Sequence, residues 1–134
     1  MRVVAGLGFR HHTSCHALRQ VLEQAVQSAQ HDQHVPMLLQ ALATAQDKCD
    51  HPALAQLAAE LGLPVASVPL AYVRAQSTQP SPHAPARYGF QSLAESAALA
   101  AAGQGAVLAS RRHISADGTA TAAIALYKPD HTAP

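Results

Sequence analysis

The stretch Arg2-Val3-Val4-Ala5-Gly6-Leu7-Gly8-Phe9-Arg10-His11-His12-Thr13-Ser14, with the residues that follow it to Ala29, decides the fold. Its first half is a short apolar run closed by two glycines, the pattern of a strand covered on both faces. Phe9 to Ser14 then makes a polar bend. From Leu18 the apolar residues fall at Leu18, Val21, Leu22, Ala25, Val26 and Ala29, the i, i+3, i+4, i+7 stripe of a helix resting on a sheet. Strand, glycine loop and helix form one half of a βαβ unit. In such units ligands gather where strand ends meet helix N-termini, so chemistry is expected between Gly8 and Ser14.

Working outward, Gln30 to Pro36 reads as a polar connection. Met37 to Thr44 has helical composition but is short, follows Pro36 and precedes the polar break Gln46 to Asp50, so it is read as a second strand. Asp50 is the expected N-cap of a second helix, with Pro52 just inside, a stripe of Leu54, Leu57, Ala58 and Leu61, and Gly62 as its left-handed stop. Pro64 to Pro69 reads as a third strand and Ala71 to Ala75 as a turn or two of helix. Gln76 to Arg87, with Pro80, Pro82 and Pro85 close together, reads as a mobile loop, either a solvated connection or a lid over a ligand. Ser92-Leu93-Ala94-Glu95 is a capping-box pattern opening a helix to Ala102, ended by Gly103. Gly105 to Ser110 and Thr119 to Tyr127 read as closing strands joined through an Asp117-Gly118 hairpin turn. The expected fold is α/β: a three-layer α/β/α domain over residues 1–128 with a mixed sheet of about five strands, then a frayed tail at 129–134.

Composition narrows the class. Hydrophobic residues make up 49% of the 134 but aromatics only 4%, and 30 are alanine, so the core must be built from small aliphatic side chains and closely approaching helices. A formal net charge of +1 with 13% charged residues argues against a nucleic-acid surface. No run approaches the ~18 apolar residues of a membrane span, and no signal-peptide pattern opens the chain, so a cytoplasmic protein is expected. Cys15 and Cys49 form no CxxC pair and are read as reduced thiols.

Several chemistries can be weighed residue by residue. Gly6 and Gly8 suggest a dinucleotide loop, but His11 stands where the third glycine belongs and no acidic residue ends a second strand to hold a ribose. No cofactor is therefore expected, and the glycines are read as giving a tight turn or backbone clearance for a large ligand. His11, His12 and His16 are read as solvated loop residues and not as a metal site, since they lack further ligands nearby. Cys15 near a helix start could be an activated thiol or merely packed. The stronger constellation is one of charge. Arg10 follows the first strand, Asp47 and Lys48 the second, and Arg87 precedes the capped helix at Ser92. In a parallel sheet these positions share the carboxyl edge with helix N-termini, whose free N–H groups favour an anion with several carboxylates. The alternative is a scatter of surface charges, and a capping box by itself accounts for Ser92 and Glu95.

Val4-Ala5-Gly6-Leu7-Gly8-Phe9-Arg10, Leu42-Ala43-Thr44-Ala45-Gln46-Asp47-Lys48, Leu61-Gly62-Leu63-Pro64, Gly89-Phe90-Gln91-Ser92-Leu93-Ala94-Glu95-Ser96-Ala97-Ala98 and Thr121-Ala122-Ala123-Ile124-Ala125 resemble, in that order, the CobE family, which is similar to the C-terminal domain of CbiG. CbiG proteins open a lactone ring on a cobalt-precorrin and release acetaldehyde in anaerobic cobalamin biosynthesis. They carry an additional N-terminal region unmatched here, so the resemblance implies the stand-alone CobE type of aerobic bacteria. Carried over, the family's Gly-x-Gly falls on Gly6 and Gly8, its threonine and lysine on Thr44 and Lys48, and its Ser-x-x-Glu on Ser92 and Glu95. His51 stands where members often have glutamate.

The resemblance implies a flat tetrapyrrole polycarboxylate, a precorrin or hydrogenobyrinic acid type intermediate, as the ligand. Gly6, Gly8, Arg10, Thr44, Lys48 and Ser92 are the candidate binding residues, and Lys48 and Glu95 the candidate acid/base residues should the protein be an enzyme. A third reading is a module that docks onto another enzyme of the cobalamin pathway. Neither metal, nucleic acid nor membrane is expected as a partner.

Overall fold

The opening run forms β1 (Arg2–Phe9), every residue of which after Arg2 is buried. The computed structural model describes residues 2–75, 92–110 and 112–128. After β1 come α1 (Cys15–Gln33), β2 (Ala41–Ala45), α2 (Pro52–Leu61), β3 (Val65–Val68), α3 (Leu70–Ala75), α4 (Leu93–Ala102), β4 (Val107–Leu108), β5 (His113–Ile114) and β6 (Ala120–Tyr127). The sheet order is β3-β2-β1-β6-β4, with β5 also on β6; β1, β2 and β3 run parallel and β6 runs antiparallel to β1. The first two strand-helix steps build one side, and the returning β6 pairs with the whole length of β1, from Arg2–Tyr127 to Phe9–Ala120.

Period-two alternation divides the core into two layers. Val3, Ala5, Leu7 and Phe9 of β1, Leu42 of β2 and Ala122, Ile124 and Leu126 of β6 pack against α1 and α2. Val4, Ala41, Ala43, Ala45 and Ala125 face the opposite side, under α4 and beside Val68. The expected three-layer α/β/α architecture is thus the one the chain adopts.

Helix α4 lies unusually close to the sheet. A Cβ placed on Gly6 would sit 1.9 Å from the Ala94 carbonyl oxygen, 2.7 Å from the Ala98 nitrogen and 2.8 Å from the Ala98 Cβ. Helix backbone therefore rests directly on strand backbone. Only glycine below and alanine above permit that approach, and it explains why a chain so rich in alanine can still fill its interior.

Several boundaries differ from the sequence reading. Met37 to Gln40 precede the second strand instead of opening it: Leu38 is 80% exposed, and the first ladder partner is Ala41, opposite Val4. The N-cap of α2 is His51 and not Asp50, because Pro52 already occupies the first helical turn. Gly62 adopts φ 66° as expected of a left-handed stop. The expected strand Gly105 to Ser110 is reduced to Val107–Leu108, and the linker beyond it contains β5. Leu108 pairs with Ala125 and His113 with Ala122, so five steps on the edge strand face three on β6. β4 and β5 are two short strands along one edge of β6, separated by a bulge between Leu108 and His113, so the sheet has six strands. The loop expected over Gln76 to Arg87 and the tail at 129–134 lie outside the described residues.

Gly6→Ala is expected to lower stability by about 3 kcal/mol or more, because the new methyl meets backbone atoms of α4 that no rotamer change can move. Urea unfolding of the purified variant measures this, and wild-type stability would contradict the packing described.

Candidate functional site

The parallel strands end together at Phe9, Ala45 and Val68, and β6 begins beside the first of them at Ala120. Helix α3 starts at this edge just after Val68, and α1, α2 and α4 start there too. Thr13, just before α1, bonds Thr119; His51, the cap of α2, bonds the His11 carbonyl; and Leu93, the first residue of α4, lies over Gly8. Helix N-termini carry unsatisfied N–H groups and partial positive charge, so this edge has the polarity of an anion site.

Between β1 and β2 the ladder runs only through Val4–Ala41, Ala5–Leu42 and Gly6–Ala43. Beyond it, side chains take over the exposed carbonyls of β1. The Thr44 hydroxyl donates to the Leu7 oxygen at 2.8 Å, and the Lys48 ammonium donates to the Phe9 oxygen at 2.8 Å. Lys48 Nζ also stands 5.7 Å from the centre of the Phe9 ring, within cation–π range. On its other side Phe9 meets the His51 ring edge-on at 5.0 Å.

His51 serves two elements at once. Its Nδ1 accepts from the Ala53 N–H at 3.1 Å, which requires Nδ1 to be unprotonated, so Nε2 carries the hydrogen and donates to the His11 carbonyl 2.6 Å away. The imidazole therefore caps α2 and ties it to the loop carrying Arg10 and His11.

A second network fixes the other flank. Asp117 Oδ1 accepts from the Ser115 hydroxyl (2.7 Å), the Thr119 N–H (3.0 Å) and the Thr119 hydroxyl (2.7 Å). Since the Thr119 hydrogen goes to Asp117, the buried contact of 2.9 Å between the Thr13 and Thr119 hydroxyls has Thr13 as donor. The Ser115 bond first, then the Thr119 bonds, lower the Asp117 carboxyl to about 2. Arg10 joins this flank by its backbone, donating to the Thr119 carbonyl at 2.8 Å, while its side chain is exposed.

The third feature is Glu95, 1% exposed and in the first turn of α4. The Ser92 hydroxyl hydrogen-bonds its carboxyl, yet Oε1 has no hydrogen-bond partner, and the nearest described cation, Arg112 Nη1, is 3.8 Å from it. Burial raises its pKa above the usual carboxylate value, with Arg112 and then Ser92 acting in the opposite direction.

The candidate residues of the sequence reading divide accordingly. Arg10 and Lys48 reach the carboxyl edge. Gly6 does not leave clearance for a ligand, because α4 fills it; a Cβ on Gly8 would meet Thr121 Oγ1 at 2.9 Å and Leu93 Cβ at 3.4 Å. Thr44 is fully buried, with its hydroxyl committed to Leu7. Ser92 holds the N-cap position of α4 without a side-chain bond to the helix backbone, so Ser92 and Glu95 do not form the expected capping box and instead bond each other. Arg87 lies outside the described residues. His11, His12 and His16 are exposed, and no group of metal-ligating side chains occurs among the described residues. Asp117, Thr119 and Arg112 were missed. The spacing Ser115-x-Asp117-x-Thr119 around the recognised turn was a signal for the first two; nothing local marked Arg112, which the bulge brings to α4.

A mixed sheet whose parallel strands end among helix starts, with helices on both faces, defines the class, a three-layer α/β domain. Residues 3–125 match the family described as cobalamin synthesis G C-terminus, and the chain belongs to that family of cobalamin biosynthesis proteins. CobE, a protein from the cobalamin (vitamin B12) biosynthetic pathway with a crystal structure at 1.7 Å resolution, is similar at 34% identity and TM-score 0.78, over 95% of this chain and 91% of that one. The cobalamin biosynthesis protein chiG from Agrobacterium tumefaciens str. C58 is also 34% identical, with TM-score 0.65 over 95% and 99% of the two chains. A cobalamin biosynthesis protein G homolog from Sulfolobus solfataricus shares the fold at 15% identity and TM-score 0.68, over 96% of this chain and 37% of that one. No curated protein matches the chain in sequence. Among the described residues no helix is long and apolar enough to cross a membrane.

Two measurements check this geometry. His51→Ala is expected to destabilise by about 1 kcal/mol through loss of the α2 cap, with His51→Asn restoring much of it; equal stability of the alanine variant would contradict the cap. For Asp117 the folded pKa is depressed, so its contribution is present above the ordinary value of 3.8 and is lost as pH falls toward about 2. The stability gap between wild type and Asp117→Asn should be constant at neutral pH and shrink across that window in acid unfolding titrations.

Proposed function

We propose that the protein binds a flat tetrapyrrole polycarboxylate, of the precorrin or hydrogenobyrinic acid type, along the carboxyl edge of its parallel strands. The observation that carries the reading is the exposed Arg10 guanidinium at the end of the central strand, flanked by Lys48 and by the starts of α1, α2 and α4 and left without an ion-pair partner among the described residues. Family membership supports this ligand class, since the relatives at 34% identity belong to cobalamin biosynthesis.

In this reading Arg10 grips one carboxylate with its planar fork. Lys48 contributes charge from a fixed position, because its ammonium is held at the Phe9 carbonyl. Gly8 lets Leu93, and with it the start of α4, come close to the end of the central strand. The Asp117 and His51 networks hold the Arg10 loop from both sides, so little ordering is needed when the ligand arrives. Chemistry on the bound ligand is the second reading. It is favoured by one observation, the buried carboxyl of Glu95 held above the ordinary range, where general acids are found.

Titration with hydrogenobyrinic acid, followed by the absorption spectrum of the ligand and by the mobility of the protein, is expected to give saturable binding that Arg10→Ala weakens about tenfold. Mass spectrometry of the recovered ligand separates the readings: an unchanged mass means binding alone, an altered one chemistry. An unperturbed spectrum and mobility at saturating ligand would sink the binding reading.

A further inference from the structure

The Glu95 carboxyl is the least explained polar group among the described residues. Its Oε1 is buried and makes no hydrogen bond, although an orphaned buried carboxylate oxygen is costly and native interiors avoid it. Arg112 Nη1 stands at 3.8 Å, close enough to feel the charge but too far for a hydrogen bond. This separation persists although the edge strand bulges at the very point where Arg112 leaves it, and bulges commonly re-aim side chains beside functional sites. Arg112 is also the outer member of the pair, 20% exposed at its side chain against 2% for Glu95.

We infer that Arg112 and Glu95 form a subsite for one carboxylate of the ligand, in which the guanidinium of Arg112 pairs with that carboxylate and the Glu95 carboxyl, in its protonated form, donates the remaining hydrogen bond from Oε1. The assignment rests on the polycarboxylate reading above and deepens it. An ionised Glu95 would repel the incoming anion, whereas a neutral one offers a donor, so binding is coupled to a proton on this residue. The upward displacement of its pKa by burial lies in the direction this coupling needs.

The sheet residues packed under α4 are apolar or glycine. From β1, Val4, Gly6 and Gly8 face α4; from β2, Ala41, Ala43 and Ala45; from β6, Ala125; none is charged. Arg2 reaches α4 only at its far end, at the Ala101 carbonyl. Ser92 contributes a hydroxyl from the helix start, and Arg112 is the cation beside Glu95 among the described residues.

The test uses hydrogenobyrinic acid as the probe, with calorimetric titrations in two buffers of different ionisation enthalpy at several values between about pH 5 and about pH 9. Wild type is expected to take up more protons on binding than Glu95→Gln, with the difference approaching one. Its affinity should fall by up to about tenfold per pH unit above the Glu95 pKa relative to the variant, whose amide keeps a donor but cannot ionise. Arg112→Gln should weaken binding about tenfold, and Arg112→Lys, which keeps charge and loses the fork, should restore only part. Thermal melts establish that each variant is folded, and the paired arginine variants keep the test open should one of them fail. Equal proton uptake by wild type and Glu95→Gln, or full affinity in a folded Arg112→Gln, overturns the subsite while leaving the binding reading intact. Absence of binding by wild type overturns both.

Discussion

Everything in this structure is placed by the contact between Gly6 and α4. With Ala94 and Ala98 pressed onto a strand residue that has no side chain, the helix stands closer to the sheet than any other residue at position 6 would permit. That closeness sets where Leu93 meets Gly8, where Glu95 faces the edge strand and how deeply its carboxyl is buried. Small residues here are a geometric requirement and not a compositional accident. A larger side chain at either surface would lift the N-terminus of α4 off the carboxyl edge.

The same edge shows how a parallel sheet can end without leaving its backbone unsatisfied. Where β1 and β2 leave the ladder, a threonine hydroxyl and a lysine ammonium take the carbonyls of Leu7 and Phe9. On the antiparallel side β6 continues the pairing to Phe9, and the Asp117 network extends the order into the loop before α1. Arg10 thus projects from a loop bound on both flanks. A charged group held this way loses less freedom on meeting an anion than one on a flexible segment.

Much of the fold was legible because it rests on local patterns. The alternation of β1, the stripe of α1, Pro52 and Gly62 at the ends of α2, and the Asp117-Gly118 turn each carry their own physical signal. The site was less legible. Lys48 and Arg10 could be placed by strand ends alone, but the surroundings of Gly6 and Thr44 could not, because they come from distant segments: α4 above one, the Leu7 carbonyl beside the other. The Ser92 and Glu95 pair read as a capping box, since the same spacing serves a helix start and a side-chain pair equally well.

The sequence by itself determined the alternation of strands and helices, the alanine-built core and the gathering of cations at strand ends, because these follow from periodicity, composition and chain order. Its family resemblance pointed to cobalamin biosynthesis as well. Only the tertiary structure decided which small residue carries the helix, which carbonyls need side-chain donors, and that Arg112, 17 positions beyond Glu95, comes within 3.8 Å of it. The physical reason is that burial and pairing depend on segments far apart in the chain. The bulge in the edge strand, which no local preference announces, brings the last of these partners into place.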